Sequence, residues 1–367
     1  MSNISSIIFY NIVFVLILFF LRKGQRNHVI EYLGVIMLIL LAVFRYDIGF
    51  DYENYYKDIY TLKNAFDLYG SSYVFNKMEI RMEPSFTFFV WLFKDFNNTF
   101  IYVFAIYSIL TIGFIYKALK KQNAVFWGMF IIITLLILFR TFDQIRQCLA
   151  MSIFLYSLAY LDGEKRNLMR YCSFILLATL FHYTAIIMLL AILLTKFKPN
   201  IKLYIAVIIL AYIIGLAGGW SKFIHFIFEN SFMYISFLDS EKQMVQNTGG
   251  GYIYTAITII YTVLMSISYK NSLYTNLLFV GTVLFVIASG NPNVNRIAFY
   301  FLIVNALSFP LFVSSTHRKT IMKMVILMLC VQFEVRMLIT ESSGCIPYDY
   351  VGSENFEMKK LRYRNRN

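Results

Sequence analysis

MSNISSIIFYNIVFVLILFF, residues 1–20, carries no charge, and the first charged residues, Arg22 and Lys23, come only after the apolar run. A run of about 20 apolar residues is what a helix needs to cross a hydrocarbon core roughly 30 Å thick. A backbone in lipid must also satisfy its own hydrogen bonds, and a helix does so within one segment. The stretch has no basic leader and no small-residue cleavage site, so it is expected to stay as a first spanning helix with its N-terminus outside.

The same pattern repeats along the chain. Apolar segments suited to spanning lie near residues 4–21, 29–44, 100–116, 124–140, 145–161, 169–182, 183–196, 202–219, 252–269, 274–290, 297–314 and 321–339. The expected fold is therefore all-α: a polytopic membrane bundle of about twelve transmembrane helices, forming one integral membrane domain over residues 1–367. Composition agrees, with 59% hydrophobic and 14% charged residues and a mean hydropathy of +0.64. A soluble domain is nearer half apolar and a quarter charged, so a water-soluble enzyme is excluded.

The formal net charge of +13 could suggest nucleic acid in a soluble chain. Here the basic residues sit mostly in short loops between apolar blocks, where they orient helices and attract anionic headgroups. Membrane lipids are expected partners, and nucleic acid is not. Cys148, Cys172, Cys330 and Cys345 form no CxxC pair, so neither a disulfide framework nor a zinc site is readable.

A further apolar patch, Pro84 to Phe96, is short and ends in Lys94 and Asp95. If it is interfacial or re-entrant, then Arg22, Lys23, Arg26, Lys117, Lys120, Lys121, Lys165, Arg166 and Arg170 all face the cytoplasm. Lys196, Lys198, Lys202, Lys270, Arg318, Lys319 and Lys323 join them, as the positive-inside rule requires. The C-terminal tail with Lys359, Lys360, Arg362, Arg364 and Arg366 then falls outside. So do the hydrophilic stretches 45–99 and 220–251, the turn at 140–146, the corner at His182 and residues 290–296.

Unusual polar residues collect on that outer side. Arg45 opens RYDIGFDYENYY (45–56), Arg140 and Arg146 flank RTFDQIRQ (140–147), and Arg296 follows NPNVN (291–295). One such arginine could be snorkelling to headgroups within an aromatic belt. Four, on the side disfavoured for basic residues, fit an anionic ligand better, because a guanidinium fork matches phosphate oxygens bidentately. His182, in LFHYTA (180–185), stands where two short apolar segments meet, and its near-neutral titration suits proton abstraction from a hydroxyl. Asp51 is the alternative base. A lone histidine is more often structural, and His28, His225 and His317 are expected to be non-catalytic. No Walker lysine follows the glycines at 249–251, and no GxSxG, HExxH or DxD occurs, Asp239-Ser-Glu241 being the nearest acidic pair. An arginine clamp can supply countercharge to a departing diphosphate without a metal or other cofactor.

RYDIGFDYENY (45–55), Glu83-Pro84, IRQCLA (145–150), LFHYTA (180–185), RIAFYF (296–301) and IPY (346–348) occur in an order that resembles the EpsG family of exopolysaccharide polymerases, within the Wzy-type O-antigen and capsule polymerases. The resemblance implies a GT-C-like glycosyltransferase of the bacterial inner membrane. Its substrates would be oligosaccharide repeat units on undecaprenyl diphosphate, joined on the periplasmic face, with a chain-length regulator protein as a further partner. On that reading Arg45, Arg140, Arg146 and Arg296 hold the diphosphate, His182 or Asp51 deprotonates the acceptor, and Tyr52, Tyr55, Gln147 and Tyr300 contact the glycan. The tyrosines at 60, 69 and 73 could also stack on sugars. An O-antigen ligase shares this chemistry. A flippase would be expected to carry mid-membrane charges and internal repeats instead.

Overall fold

A computed structural model describes residues 2–76, 82–162, 166–216, 259–260, 263, 272–287, 292–315, 319–339 and 344–353. Among these residues the secondary structure is helical, and the one β contact is an isolated antiparallel bridge between Arg45 and Tyr350. The chain forms two compact units, residues 1–187 with 329–367, and residues 188–328.

The first unit contains α1 (Asn3–Gly24), α2 (His28–Val43), α3 (Tyr52–Asn76), α4 (Pro84–Phe93), α5 (Thr99–Lys121), α6 (Val125–Thr134), α7 (Ile137–Asp143), α8 (Ile145–Ser157) and α9 (Leu168–Phe181). In α1 the side chains of Ser6, Tyr10, Phe14, Ile17 and Leu21 are buried, a stripe at the helical spacing of three and four. The opposite face is equally apolar yet exposed, as Ile8, Ile12, Val15 and Phe19 show. Such a face is matched by lipid and not by water. α8 is the contrary case. Nearly every residue from Ile145 to Ser157 is buried, so this helix is central to the unit.

Three described helices have the length and hydropathy to cross a membrane: Asn3–Gly24, Thr99–Lys121 and Asn295–Ser314. A fourth crossing is made if α6 and α7, bent by 66°, count as one span. The break falls at Leu136, whose φ is +57°. These helices make the chain a polytopic helical membrane protein. The expected spans at 29–44, 169–182, 183–196, 202–219 and 274–290 form helices of 10–17 residues, whereas 321–339 lies in the 21-residue helix Lys319–Ile339. At 1.5 Å per residue a helix of about 15 residues reaches only about 22 Å, short of a full core. The expected span at 252–269 falls almost wholly outside the described residues, as do the 220–251 stretch, His225, His317 and the tail from residue 354.

The hydrophilic stretch after α2 is helical rather than a loop. It forms α3, broken at Gly70 where φ is +75°, and the ten-residue α4, which is too short to cross. The helices α1, α2, α5, α6–α7, α8 and α9 run in alternating directions, so the unit has two distinct ends. At one end Lys120 pairs with Glu31, Arg22 lies over Phe126, and Lys121 lies over Tyr156 and Tyr160. At the other end a strap near the C-terminus closes over the start of α1 and the end of α2. The Tyr348 N–H donates to the Ser6 hydroxyl (2.9 Å), the Tyr10 hydroxyl to the Cys345 carbonyl (2.9 Å) and the Tyr348 hydroxyl to the Leu41 carbonyl (3.2 Å).

In the second unit Asn276 is buried, and its amide donates to the carbonyls of Leu194 and Phe197, each at 2.8 Å. The Tyr204 hydroxyl donates to the same side chain, and its ring stacks on Phe279 at 3.8 Å. A polar staple of this kind satisfies groups that lipid cannot. Helix Pro292–Leu302, which carries Arg296 and Tyr300, also belongs to this unit.

Candidate active site

Three residues distant in sequence meet at the end of the first unit that holds α3 and α4. Pro84 takes the first turn of α4, where its missing N–H costs nothing, and Glu83 precedes it in extended conformation. The Glu83 side chain does not cap its own helix. It is 3% exposed, and its two oxygens go to two different helices. Oε2 accepts from Nη1 of Arg146, in the first turn of α8, and Oε1 lies 2.7 Å from Nδ1 of His182, where α9 ends. His182 can end that helix because its backbone is extended (φ −158°, ψ 117°). The corner is fixed from α4 by Ser85, whose hydroxyl donates to the Leu180 carbonyl at 2.7 Å.

Around this carboxylate the groups are complementary. The Arg146 guanidinium lies over the rings of Tyr55 (5.2 Å) and Phe86 (5.5 Å), and its Nε–H is buried with no hydrogen-bond partner. Burial works to raise the Glu83 pKa, but the hydrogen bond from His182 and the charge of Arg146 outweigh it and hold the carboxyl below its ordinary range. Glu83 is therefore an ionised acceptor. An ionised carboxylate offers no proton, so Nδ1 of a neutral His182 must carry the hydrogen, which leaves Nε2 with a lone pair. Asp58 on α3 is raised by burial, opposed by the charge of Arg146. An orphan guanidinium N–H and an imidazole ring thus flank one buried carboxylate.

The other expected site residues have other surroundings. Arg45 is 2% exposed, and both its Nη groups bond protein acceptors while its Nε–H is buried without one. Nη1 donates to the Ala42 carbonyl and to the Ser108 hydroxyl at 2.8 Å, Nη2 reaches the Phe142 carbonyl at 3.4 Å, and the plane lies near the Phe104 and Phe142 rings. Arg140 is half-buried on α7. Asp51 heads α3, and its backbone N–H is held by the Asp143 carboxylate at 2.8 Å. Gly49 beside it has φ +102° and lies so close to Asp143 Cα that an added Cβ would come within 2.9 Å, so only glycine fits there. Tyr52 is buried in a stack on Phe104 (4.7 Å), and Tyr55 is buried beneath Arg146. Gln147 is buried in α8. In the second unit Tyr300 is buried and Arg296 is half-buried. Among the described residues no group of three or more His, Cys, Asp or Glu side chains is placed to hold a metal ion.

Glu83 is not legible as a site residue from the sequence alone. The available signal was a single carboxylate directly before Pro84 and an apolar helix, within one of the short pieces that carried the resemblance. The family model of the EpsG family matches residues 28–350. No curated protein and no solved structure matches the chain.

Proposed function

We infer the activity from membership: the chain belongs to the EpsG family, whose members are Wzy-type polymerases. The reading is a polysaccharide polymerase that joins repeat units carried on undecaprenyl diphosphate. The observation that carries it is the meeting of Arg146 and His182 on one buried carboxylate. An orphan guanidinium N–H suits a leaving diphosphate, and an imidazole lone pair suits the acceptor hydroxyl.

The proposed reaction is a single inverting displacement without metal. His182 Nε2 takes the proton of the acceptor hydroxyl, and that oxygen bonds to the anomeric carbon of the donor sugar. The bond from this carbon to phosphate breaks, and its electrons leave on undecaprenyl diphosphate held by Arg146, with Arg140 of the same unit as a further cation. Arg45, whose two Nη groups already have protein acceptors, is assigned to holding the end of α2. Among the tyrosines, Tyr69 and Tyr73 present exposed rings to a sugar, whereas Tyr55 supports Arg146 from beneath and Tyr52 is packed on Phe104. The end rich in Lys and Arg is taken as cytoplasmic, which puts the cluster on the outer face of a bacterial inner membrane. About twelve spans and a GT-C-like arrangement remain part of this reading.

Deletion in the native host, followed by gel display of the surface polysaccharide, tests it. A single-repeat product is expected. Full-length polymer left on undecaprenyl diphosphate would instead identify a ligase, and repeat units trapped on the inner leaflet a flippase. Complementation with Arg146→Lys, which keeps the charge and loses the fork, should fail to restore long chains at normal protein level.

A further inference from the structure

We propose that Glu83 is a positioning residue that locks His182 in the tautomer needed for catalysis and at the same time aims Arg146 at the leaving group. The inference rests on the polymerase reading and deepens it.

The geometry divides the work between the two oxygens. Oε1 meets His182 Nδ1 at 2.7 Å, and Oε2 takes Arg146 Nη1. The carboxylate is 3% exposed, so water does not compete for either oxygen. An arginine has two bidentate edges, and anchoring Nη1 leaves the edge that includes Nε for an incoming phosphate. That Nε–H is buried without a partner, as is that of Arg45, but here the guanidinium, also hydrogen-bonded by the Tyr55 side chain, stands on the carboxylate that holds His182. On the other side an acceptor-only carboxylate forces the proton of neutral imidazole onto Nδ1 and leaves Nε2 to receive the hydroxyl proton. A single carboxylate thus sets the spacing between base and leaving-group clamp. The loop before α4 is held in place from outside the cluster as well, because Ser85 bonds the Leu180 carbonyl and lies 3.3 Å from the Tyr107 hydroxyl.

Glu83→Gln separates the two tasks at constant shape. An amide has one acceptor and one donor end. The cation of Arg146 draws the amide oxygen, so the NH2 group faces His182 and requires Nδ1 to accept. The imidazole proton then moves to Nε2, and the base is blocked. In purified protein fed lipid-linked repeat units, Glu83→Gln should lose about 10²–10⁴-fold in kcat, the scale of general-base catalysis and of a wrong tautomer. Inhibition by undecaprenyl diphosphate should stay within about threefold, since Arg146 keeps an acceptor. The double variant Glu83→Gln/His182→Ala should turn over no more slowly than His182→Ala alone, because Glu83 acts through His182.

A wild-type protein that polymerises beside an equally active Glu83→Gln variant overturns the inference and leaves the polymerase reading intact. Parallel loss of kcat and diphosphate binding also overturns it. A measurement on the wild type removes any dependence on folding of the variant: ¹⁵N-histidine NMR, with His182 assigned by comparison with His182→Gln. A protonated Nδ1 and a bare Nε2 at neutral pH are expected. The reverse tautomer overturns the proposal whatever the activity.

Discussion

The two ends of the first unit each bury a glutamate to 3% exposure, and they use it differently. Glu31 gathers its partners on one oxygen, Oε1, which accepts from the Tyr116 hydroxyl and the Lys120 ammonium, both at 2.6 Å. The backbone of Gly24 presses against it so closely that an added Cβ would lie 2.5 Å from Glu31 Cα. That is a staple joining α1, α2 and α5. Its donors are a phenol and a flexible ammonium, and neither presents a basic lone pair or a fork. Glu83 divides its oxygens between two planar groups, one able to take a proton and one shaped for phosphate. Burial of a carboxylate is therefore not the mark of a site, whereas the kind of partner is.

The contrast is broken most severely by His182→Ala. Turnover should fall about 10²–10⁴-fold while inhibition by undecaprenyl diphosphate is retained, as measured by polymerisation in detergent or nanodiscs. A loss under about tenfold would move the base elsewhere, and an inactive, folded Asp51→Asn would then make the carboxylate on α3 the better candidate.

Glu31→Gln should do the opposite. Turnover should stay within about threefold of wild type, while stability drops by about 1 kcal/mol, read as a lower melting temperature. The amide still accepts one bond, and Lys120 is open enough to solvent for screening to soften the loss. A catalytic collapse in this variant would erase the distinction between staple and site.

The smallest effect lies in acid. Because the Glu83 carboxyl is held below its ordinary range in the folded protein, its stabilisation is complete above the unfolded value of about 4.3. It is lost as pH falls through the lower folded value. Melting curves of wild type and Glu83→Gln should therefore converge below about pH 4, and an unchanged gap down to pH 2 would contradict the assigned charge state.

What the sequence made legible follows the range of each interaction. The spanning character of α1 and α5 is local, carried by long uncharged runs, and could be read directly. The helical nature of residues 52–76 could not, because eleven polar or charged neighbours among tyrosines look like a surface loop until Tyr52, Tyr55, Tyr56, Ile59 and Leu62 are seen to form one buried stripe. Arg45 and Arg146 looked alike, as arginines beside outer helix ends. They differ in their acceptors, the Ala42 and Phe142 carbonyls for one and Glu83 for the other, and those acceptors lie on packed elements that no local pattern identifies. His182 was recognisable as a histidine at a helix junction. Its carboxylate partner, 99 positions earlier, was not.

The strap near the C-terminus sets a schedule for biogenesis. Hydrogen bonds join Ser6 to Tyr348 and Tyr10 to Cys345, and Phe44 and Tyr46 bond to Val351 and Asp349. The groups on α1 and at the end of α2 leave the ribosome first, yet their partners are translated only after some 300 further residues, with the whole second unit in between. Until residues 344–351 emerge, α1 lacks its latch, so a helix made some 300 residues before the strap is completed only when the strap arrives.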